Sequence, residues 1–343
     1  MSFRTWASIV TLVLLGLIIF AAWHEIERAW HLLGTVNLWI LALSIPAQIF
    51  VYFVAGEMMF SYLRDKKLIN HISVAEQARM ALEMNFVNHT LPSAGVSGIS
   101  YMTWRLHKYG VPPGRATMAQ LVRFVAAFAA FITLLAVALI AITIDGNINR
   151  WIILFSSLIA FAMIGGTGLM IFLVSSPSRS EKFSGWLVRA GNRVLALVRV
   201  PAAKFRLQSS MIERFFKEMH QDYLELKREK RLLLKPFLWG LAFTAGDVLL
   251  FMITFWALGI SINPAPVLIA YGLAMIAGFV MVTPGGAGAY EAIMVAFLAI
   301  AGISAGTAIA GILLTRVILL VCTIGLGYVF YQHALIKYGK RKT

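Results

Sequence analysis

The chain has 343 residues, of which 60% are hydrophobic and only 13% are charged, and its mean hydropathy is +0.80. These values exclude an ordinary soluble domain and indicate that lipid is the main solvent of the protein. The formal net charge of +15 does not indicate a nucleic-acid partner, because the basic residues fall in loops between apolar segments, where they serve membrane topology and lipid headgroups.

Six apolar segments are long enough to cross a membrane as helices, which takes about 20 residues for a hydrocarbon core of about 30 Å. The first segment is interpreted as a helix and not as a cleavable signal peptide, because His24, Glu25 and bulky residues follow it. The predicted spans are 6–23, 36–60, 115–143, 150–174, 234–258 and 307–332.

Two further segments are interrupted, and we interpret each as a re-entrant helical hairpin. Residues 266–301 contain two apolar arms separated by a break at 283–288 that holds Pro284 and three glycines. Each arm is shorter than a comfortable crossing at about 1.5 Å per residue, and proline and glycine end helices. Residues 72–109 form a more polar version of the same hairpin, with a break at 91–98.

The two halves of the chain match when they are aligned with an offset of 192 residues, and Arg123 then falls one residue short of Arg316. Single Gly and Ala matches are common in membrane proteins, so the ordered series and the two arginines support the prediction of an internal duplication. The matched pairs are Pro92 with Pro284, Gly110 with Gly302, Val111 with Ile303, Gly114 with Gly306 and Ala116 with Ala308.

The distribution of Lys and Arg predicts the orientation in the membrane. With the amino terminus inside, most basic loop residues are cytoplasmic, and only Arg28 and Arg150 lie outside. The first hairpin then enters from the cytoplasm and the second from the opposite face, so the repeats are inverted. We therefore expect a multi-pass protein of the bacterial inner membrane with both termini cytoplasmic.

The predicted fold class is an all-α polytopic membrane protein with about six full transmembrane helices and two re-entrant hairpins in an inverted repeat. The first membrane repeat is 1–145 and the second is 146–343. The second contains a basic cytoplasmic segment, 177–233, whose apolar residues recur at helical spacing and predict a helix on the inner membrane surface. Those apolar residues are Ile212, Phe215, Phe216, Met219, Tyr223 and Leu226.

Five charged residues lie at predicted membrane depth, where an unpaired charge costs several kcal/mol. They are Glu57, Arg123, Asp247, Glu291 and Arg316. Glu57 and Arg123 can be explained by snorkelling to the cytoplasmic interface. A pair between Arg316 and either Glu291 or Asp247 would be structural. Alternatively, these residues line a polar cavity for a charged headgroup or a coupling proton.

The hairpin breaks are candidate ligand sites, because irregular backbone in a membrane is tolerated where it is buried or lines a wet cavity. The helix after the second break would direct free N–H groups at an anion, although glycine also serves close packing. Candidate residues there are Pro284, Gly285, Gly286, Gly288 and Glu291. At the first break they are Asn85, Asn88, Pro92 and Ser93, with His89 equally explained as a packing histidine.

The run T-P-G-G-A-G-A-Y-E at 283–291, followed by Gly302, Ile303 and Arg316, resembles the transmembrane region of lysylphosphatidylglycerol synthase, a flippase-like family. The run L-P-S-A-G at 91–95, followed by Arg105, Gly110 and Arg123, resembles an earlier motif of the same family. The resemblance implies movement of lipids such as aminoacylated phosphatidylglycerol between leaflets.

Some members of that family carry a soluble aminoacyltransferase domain after the membrane region. This sequence ends at Thr343, just after its last predicted span, so we expect no lipid aminoacylation by the chain alone and no enzymatic activity. The sequence has a single cysteine, Cys322, and no metal signature, Walker-type phosphate loop or dinucleotide fingerprint. No cofactor is expected.

The leading hypothesis is a lipid flippase-like protein that translocates or binds a phospholipid or a lipid-linked anionic headgroup, with Arg316 and Arg123 contacting phosphate or pairing with acids. The alternative is a non-transporting accessory protein that binds anionic lipids, a separate membrane enzyme or a second copy of itself. An intramembrane serine protease is the weakest hypothesis: Ser97 lies in a G-x-S-G run, but neither His89 nor His333 is well placed as a base.

Overall fold

The computed structural model describes residues 34–91, 96–144, 150–176, 209–280 and 288–338, together with isolated positions between 13 and 31 and between 178 and 186; this described part has helices and no strand. The helices of the first half are α1 Leu38–Ala42, α2 Ser44–Asp65, α3 Val74–Thr90, α4 Val96–His107 and α5 Pro113–Ile144. Those of the second half are α6 Arg150–Val174, α7 Ser209–Arg228, α8 Leu234–Ala257, α9 Pro264–Val280, α10 Ala289–Ile300, α11 Ala305–Cys322 and α12 Tyr328–Tyr338. A 3-10 turn, Lys230–Leu233, precedes α8, and a π-helical turn, Thr323–Gly327, joins α11 to α12.

Within the described residues, five helical stretches are long and apolar enough to cross a membrane. They are Leu38–Asp65, Pro113–Ile144, Arg150–Val174, Lys230–Ala257 and Ala305–Tyr338. These stretches confirm the predicted all-α polytopic membrane fold and correspond to five of the six predicted spans. The sixth, at 6–23, lies outside the described residues apart from isolated helical positions.

Both predicted hairpins are pairs of helices too short to cross a bilayer separately. Helices α3 and α9 have 17 residues each, and α4 and α10 have 12 each. A 12-residue helix is only about 18 Å long. The pairs flank the segments 92–95 and 281–287, which lie outside the described residues. Their re-entrant placement in a membrane stays a prediction.

The same backbone turns recur in the two halves at the offset of 192 residues. After α4, Gly110 has a φ of 84° and Val111 N–H donates to the Leu106 carbonyl at 3.2 Å; after α10, Gly302 has a φ of 90° and Ile303 N–H donates to the Leu298 carbonyl at 2.9 Å. This is a glycine helix cap with a left-handed residue. A second pair of left-handed residues is related by the same offset. Lys67, with a φ of 56°, follows α2, and Gly259 follows α8.

Each hairpin packs against the last helix of the other half. The backbone at Gly327 lies so close to α3 that an added methyl group would meet Phe86 Cβ at 2.5 Å. Reciprocally, Gly272 of α9 faces Phe131 of α5 with no room for a methyl group. Between them, α2 and α8 are in close contact at Gly246 and Val51. Glycine therefore brings the helices of the two halves together at close range.

The amphipathic helix α7 packs on the bundle rather than presenting its described apolar face to lipid. Met219 is buried in the core, and the buried Asp222 accepts a hydrogen bond from Tyr62 Oη at 2.8 Å and pairs with Lys66. Lys66 also bonds Glu225 at 2.7 Å and thereby holds the pKa of that carboxyl below its ordinary value of 4.5. A buried carboxylate thus attaches this face of α7 to α2, and the placement of α7 on the inner membrane surface stays a prediction.

Candidate functional site

The second hairpin break is followed by a closed ion pair. Glu291 Oε1 lies 2.5 Å from Arg316 Nε, and Glu291 Oε2 accepts a hydrogen bond from Gly288 N–H at 2.6 Å. Gly288 has a φ of 87°, a conformation that glycine adopts without strain. One carboxylate therefore caps α10 and neutralises an arginine of α11, which is one of the two pairings that the sequence allowed.

Residues of both halves surround this pair. The Arg316 guanidinium lies 4.9 Å from the centre of the Tyr290 ring, a cation–π distance, and the charge of Arg316 also acts on His89 of the first hairpin. His89 Nδ1 lies 2.9 Å from the Asn85 carbonyl oxygen. His89 at the end of α3 is thus within electrostatic range of Arg316 on α11.

Asp247 forms a second polar contact in the same region. Its Oδ2 accepts a hydrogen bond from Tyr271 Oη at 2.5 Å, and its charge acts on Tyr290 and on Tyr52 of α2. Asp247 does not pair with Arg316, which was the other pairing predicted from the sequence. Among the described residues it has no cationic partner, so a hydroxyl group alone stabilises the carboxylate.

The first break is capped by an amide instead of a carboxylate. Asn88 Oδ1 accepts a hydrogen bond from Gly98 N–H at 2.9 Å, and the Asn85 amide bonds the Ala81 carbonyl within α3. Ser97 Oγ donates to the Val87 carbonyl at 3.3 Å. Asn88 and Ser97 thus join α3 to the start of α4. The bond of Ser97 to Val87 and the bond of His89 to Asn85 both go to backbone carbonyls, so neither of them is a serine–histidine pair.

A buried arginine fastens the two arms of the first hairpin. Arg105 Nε bonds Glu83 at 3.0 Å, and its terminal nitrogen bonds Glu76 at 2.6 Å. The guanidinium also lies 4.0 Å from the centre of the Tyr338 ring, and Tyr109 bonds both Glu76 and Tyr338. This network connects the first hairpin to the carboxy-terminal helix α12.

The remaining predicted site residues separate into three groups. Glu57 is buried and pairs with Arg64, which also bonds Gln77, so it takes part in a contact between α2 and α3. Arg123 is partly buried on α5, with its guanidinium 5.0 Å from the ring of its neighbour Phe124. Outside the described residues lie Pro92, Ser93, Pro284, Gly285 and Gly286.

Sequence reasoning missed the tyrosines of the site and the carboxylates of the first hairpin. Tyr271 and Tyr290 surround the charged residues, but an aromatic residue in an apolar helix carries no local signal that separates packing from hydrogen bonding. Glu76 and Glu83 are seven residues apart on α3, so they share one face of that helix and could have been found as acidic partners for Arg105. No group of three or more metal-ligating side chains occurs among the described residues.

Fold and site together define a polytopic helical membrane protein in which two broken helix pairs bring charged residues into its interior. The chain belongs to the family described as "Lysylphosphatidylglycerol synthase TM region", which it matches over residues 6–327. It is also similar to a "UPF0104 membrane protein" of Methanothermobacter thermautotrophicus, with 24% identity over 240 residues, covering 68% of this chain and 67% of that protein.

Proposed function

We propose that this protein moves a lipid with a charged headgroup between the two leaflets of the bacterial inner membrane. The observation that carries the proposal is the Glu291–Arg316 pair that follows the second break, whose arginine acts electrostatically on His89 at the end of α3 in the first hairpin. Charged residues at membrane depth are costly and typically line substrate pathways. The membership of a lipid-related membrane family supports the same function.

In this proposal the headgroup passes between the hairpins while the acyl chains stay in lipid. Helix ends at the breaks supply backbone N–H groups, and the polar residues around Arg316 replace water for the headgroup. The two halves rock about the α2–α8 contact, which opens the interior first to one leaflet and then to the other. The chain makes and breaks no covalent bond, and both termini face the cytoplasm.

The test is leaflet exchange of headgroup-labelled phosphatidylglycerol and lysyl-phosphatidylglycerol in proteoliposomes. We expect exchange above that of protein-free vesicles for the wild type, and its loss in Glu291→Gln and Arg316→Ala. Arg150→Ala, an arginine at the start of α6 and away from the breaks, is the matched control and should keep exchange. Absence of exchange by folded wild-type protein with both lipids would contradict the proposal.

A further inference from the structure

Arg123 lies on a face of α5 that is turned into the protein. The residues one turn before and one turn after it, Ala119 and Ala127, are 0% and 9% exposed. Ala127 packs with Ala55 and Met58 of α2, so this face is directed at the interior helices and not at lipid. Arg123 itself is nevertheless partly accessible. Arg123 is thus a partly accessible cation on an otherwise buried face of α5.

No carboxylate among the described residues compensates the charge of Arg123. The guanidinium lies 5.0 Å from the centre of the Phe124 ring, a cation–π distance. Other arginines of the same bundle are paired: Arg64 with Glu57, Arg105 with Glu83 and Arg316 with Glu291. A cation without a counter-ion is costly to bury, and among the described residues no anion offsets this cost for Arg123. Arg123 is therefore the arginine of the bundle that is open to an anionic ligand.

The comparison of the two halves explains why no carboxylate in the described part of the chain pairs with Arg123. Arg316, its counterpart within one residue, is neutralised by Glu291, but the position of Glu291 at the offset of 192 is occupied by Ile99. In the first half the neutral amide of Asn88 caps the start of α4, as the Glu291 carboxylate caps the start of α10 in the second half. The helix end is thus capped in both halves, whereas the arginine is neutralised only in the second.

Arg123 is also level with the first break. The hydroxyl groups of Thr103 and Thr117 are 3.2 Å apart and fix the register of α4 against α5, which a short turn joins as antiparallel helices. Arg123 is six residues after Thr117 on α5, and Ser97 is six residues before Thr103 on α4. Each therefore lies about 9 Å from the threonine contact along its helix axis. The positive end of the α4 dipole therefore lies at the depth of the Arg123 charge.

We infer that Arg123 is the residue that binds the phosphate group of the lipid, whereas Arg316 is held in an internal pair. The inference rests on the proposed function for the identity of the ligand as a lipid. It specifies the substrate class as one that carries a phosphodiester or phosphate, because a planar guanidinium binds two phosphate oxygens at once. It also gives the two halves different roles, because the first half binds the anion through Arg123 and the second half keeps Arg316 in an internal ion pair.

The test measures binding separately from transport. Purified protein in detergent is titrated with short-chain phosphatidylglycerol, with a diacylglycerol of the same chains and with inorganic phosphate, and the shift of the thermal unfolding midpoint gives the apparent Kd. The variants are Arg123→Met and Arg123→Lys. The matched control is Arg150→Met, because Arg150 has a similar cation–π contact with its neighbour Trp151.

We expect phosphatidylglycerol to stabilise the wild type and Arg150→Met, and the diacylglycerol and inorganic phosphate to give no comparable shift. Arg123→Met should weaken phosphatidylglycerol binding about 10- to 100-fold, and Arg123→Lys should fall between. Without lipid, Arg123→Met should unfold at or above the wild-type temperature, which loss of a structural contact would not produce.

Binding by Arg123→Met within about threefold of the wild type would overturn the inference, as would its failure to fold. Equal stabilisation by inorganic phosphate would also overturn it, because the ligand would then be free phosphate. If phosphatidylglycerol binding depends on Arg123 but vesicles show no exchange, the binding site stands and the proposed transport function fails.

Discussion

Glu291 joins Arg316 to the start of α10, since its two carboxylate oxygens bond the Arg316 Nε at 2.5 Å and the Gly288 N–H at 2.6 Å. Both side chains are about four-fifths buried, with 20% and 19% of their surfaces exposed. At this burial a charge that loses its partner retains much of its desolvation cost. The pair therefore contributes to the stability of the second hairpin as well as to the polar interior.

Removal of both charges of this pair should destabilise the protein less than the two single removals combined. Glu291→Gln keeps an acceptor for Gly288 but leaves Arg316 uncompensated, and we expect a loss of about 1–3 kcal/mol in the free energy of unfolding. The double variant Glu291→Gln/Arg316→Gln should lose less than the sum of the single variants. Unfolding of the four proteins in the same detergent measures this coupling, and additive losses would show that the pair contributes nothing.

Gly98→Ala should loosen the first hairpin. An added methyl group would overlap Asn88 Oδ1, whose bond to the Gly98 N–H caps α4. We expect destabilisation by about 1–3 kcal/mol from the clash and the lost cap. The matched control is Gly165→Ala in α6, where nothing lies within 4 Å and alanine favours the helix by about 0.5–1 kcal/mol. Equal effects of the two substitutions on the unfolding temperature would refute the close approach.

Lys67 occupies a left-handed backbone position that the second half gives to Gly259. Lys67→Gly should stabilise the protein by about 1 kcal/mol, because glycine adopts a φ of 56° without steric cost. Gly259→Lys is the reciprocal substitution and should destabilise by a similar amount. Chemical unfolding of both variants checks the signs, and destabilisation by Lys67→Gly would mean that the lysine side chain matters more than its backbone.

The sequence predicted the helices better than their contacts. Apolar length and the Pro-Gly breaks are local features, so the spans and the two helix pairs could be located from them. The bond between Asp247 and Tyr271 and the attachment of Asp222 to Tyr62 depend on residues 24 and 160 positions apart, which no local pattern encodes. Similarly, the amphipathic pattern of α7 is the same for a helix on lipid and a helix on protein.

The inverted orientation of the two halves can be tested at their equivalent turns. Lys108 and Ser304 are exposed near Gly110 and Gly302, the two matched glycine caps. In a Cys322→Ser background, we expect Lys108→Cys to react with an impermeant reagent added from the cytoplasmic side and Ser304→Cys to react from the opposite side. Reaction of both cysteines from one side would make the repeats parallel and not inverted.

The leaflet exchange rate tests the central claim most directly. Headgroup-labelled phosphatidylglycerol is placed in the inner leaflet of proteoliposomes, and its exposure to an impermeant quencher is followed as the number of protein copies per vesicle rises. We predict a fast phase that grows with copy number for the wild type and for Arg150→Ala, and that is lost in Arg316→Ala. A rate equal to that of protein-free vesicles at every copy number, with the helical fold verified by circular dichroism, would contradict the account.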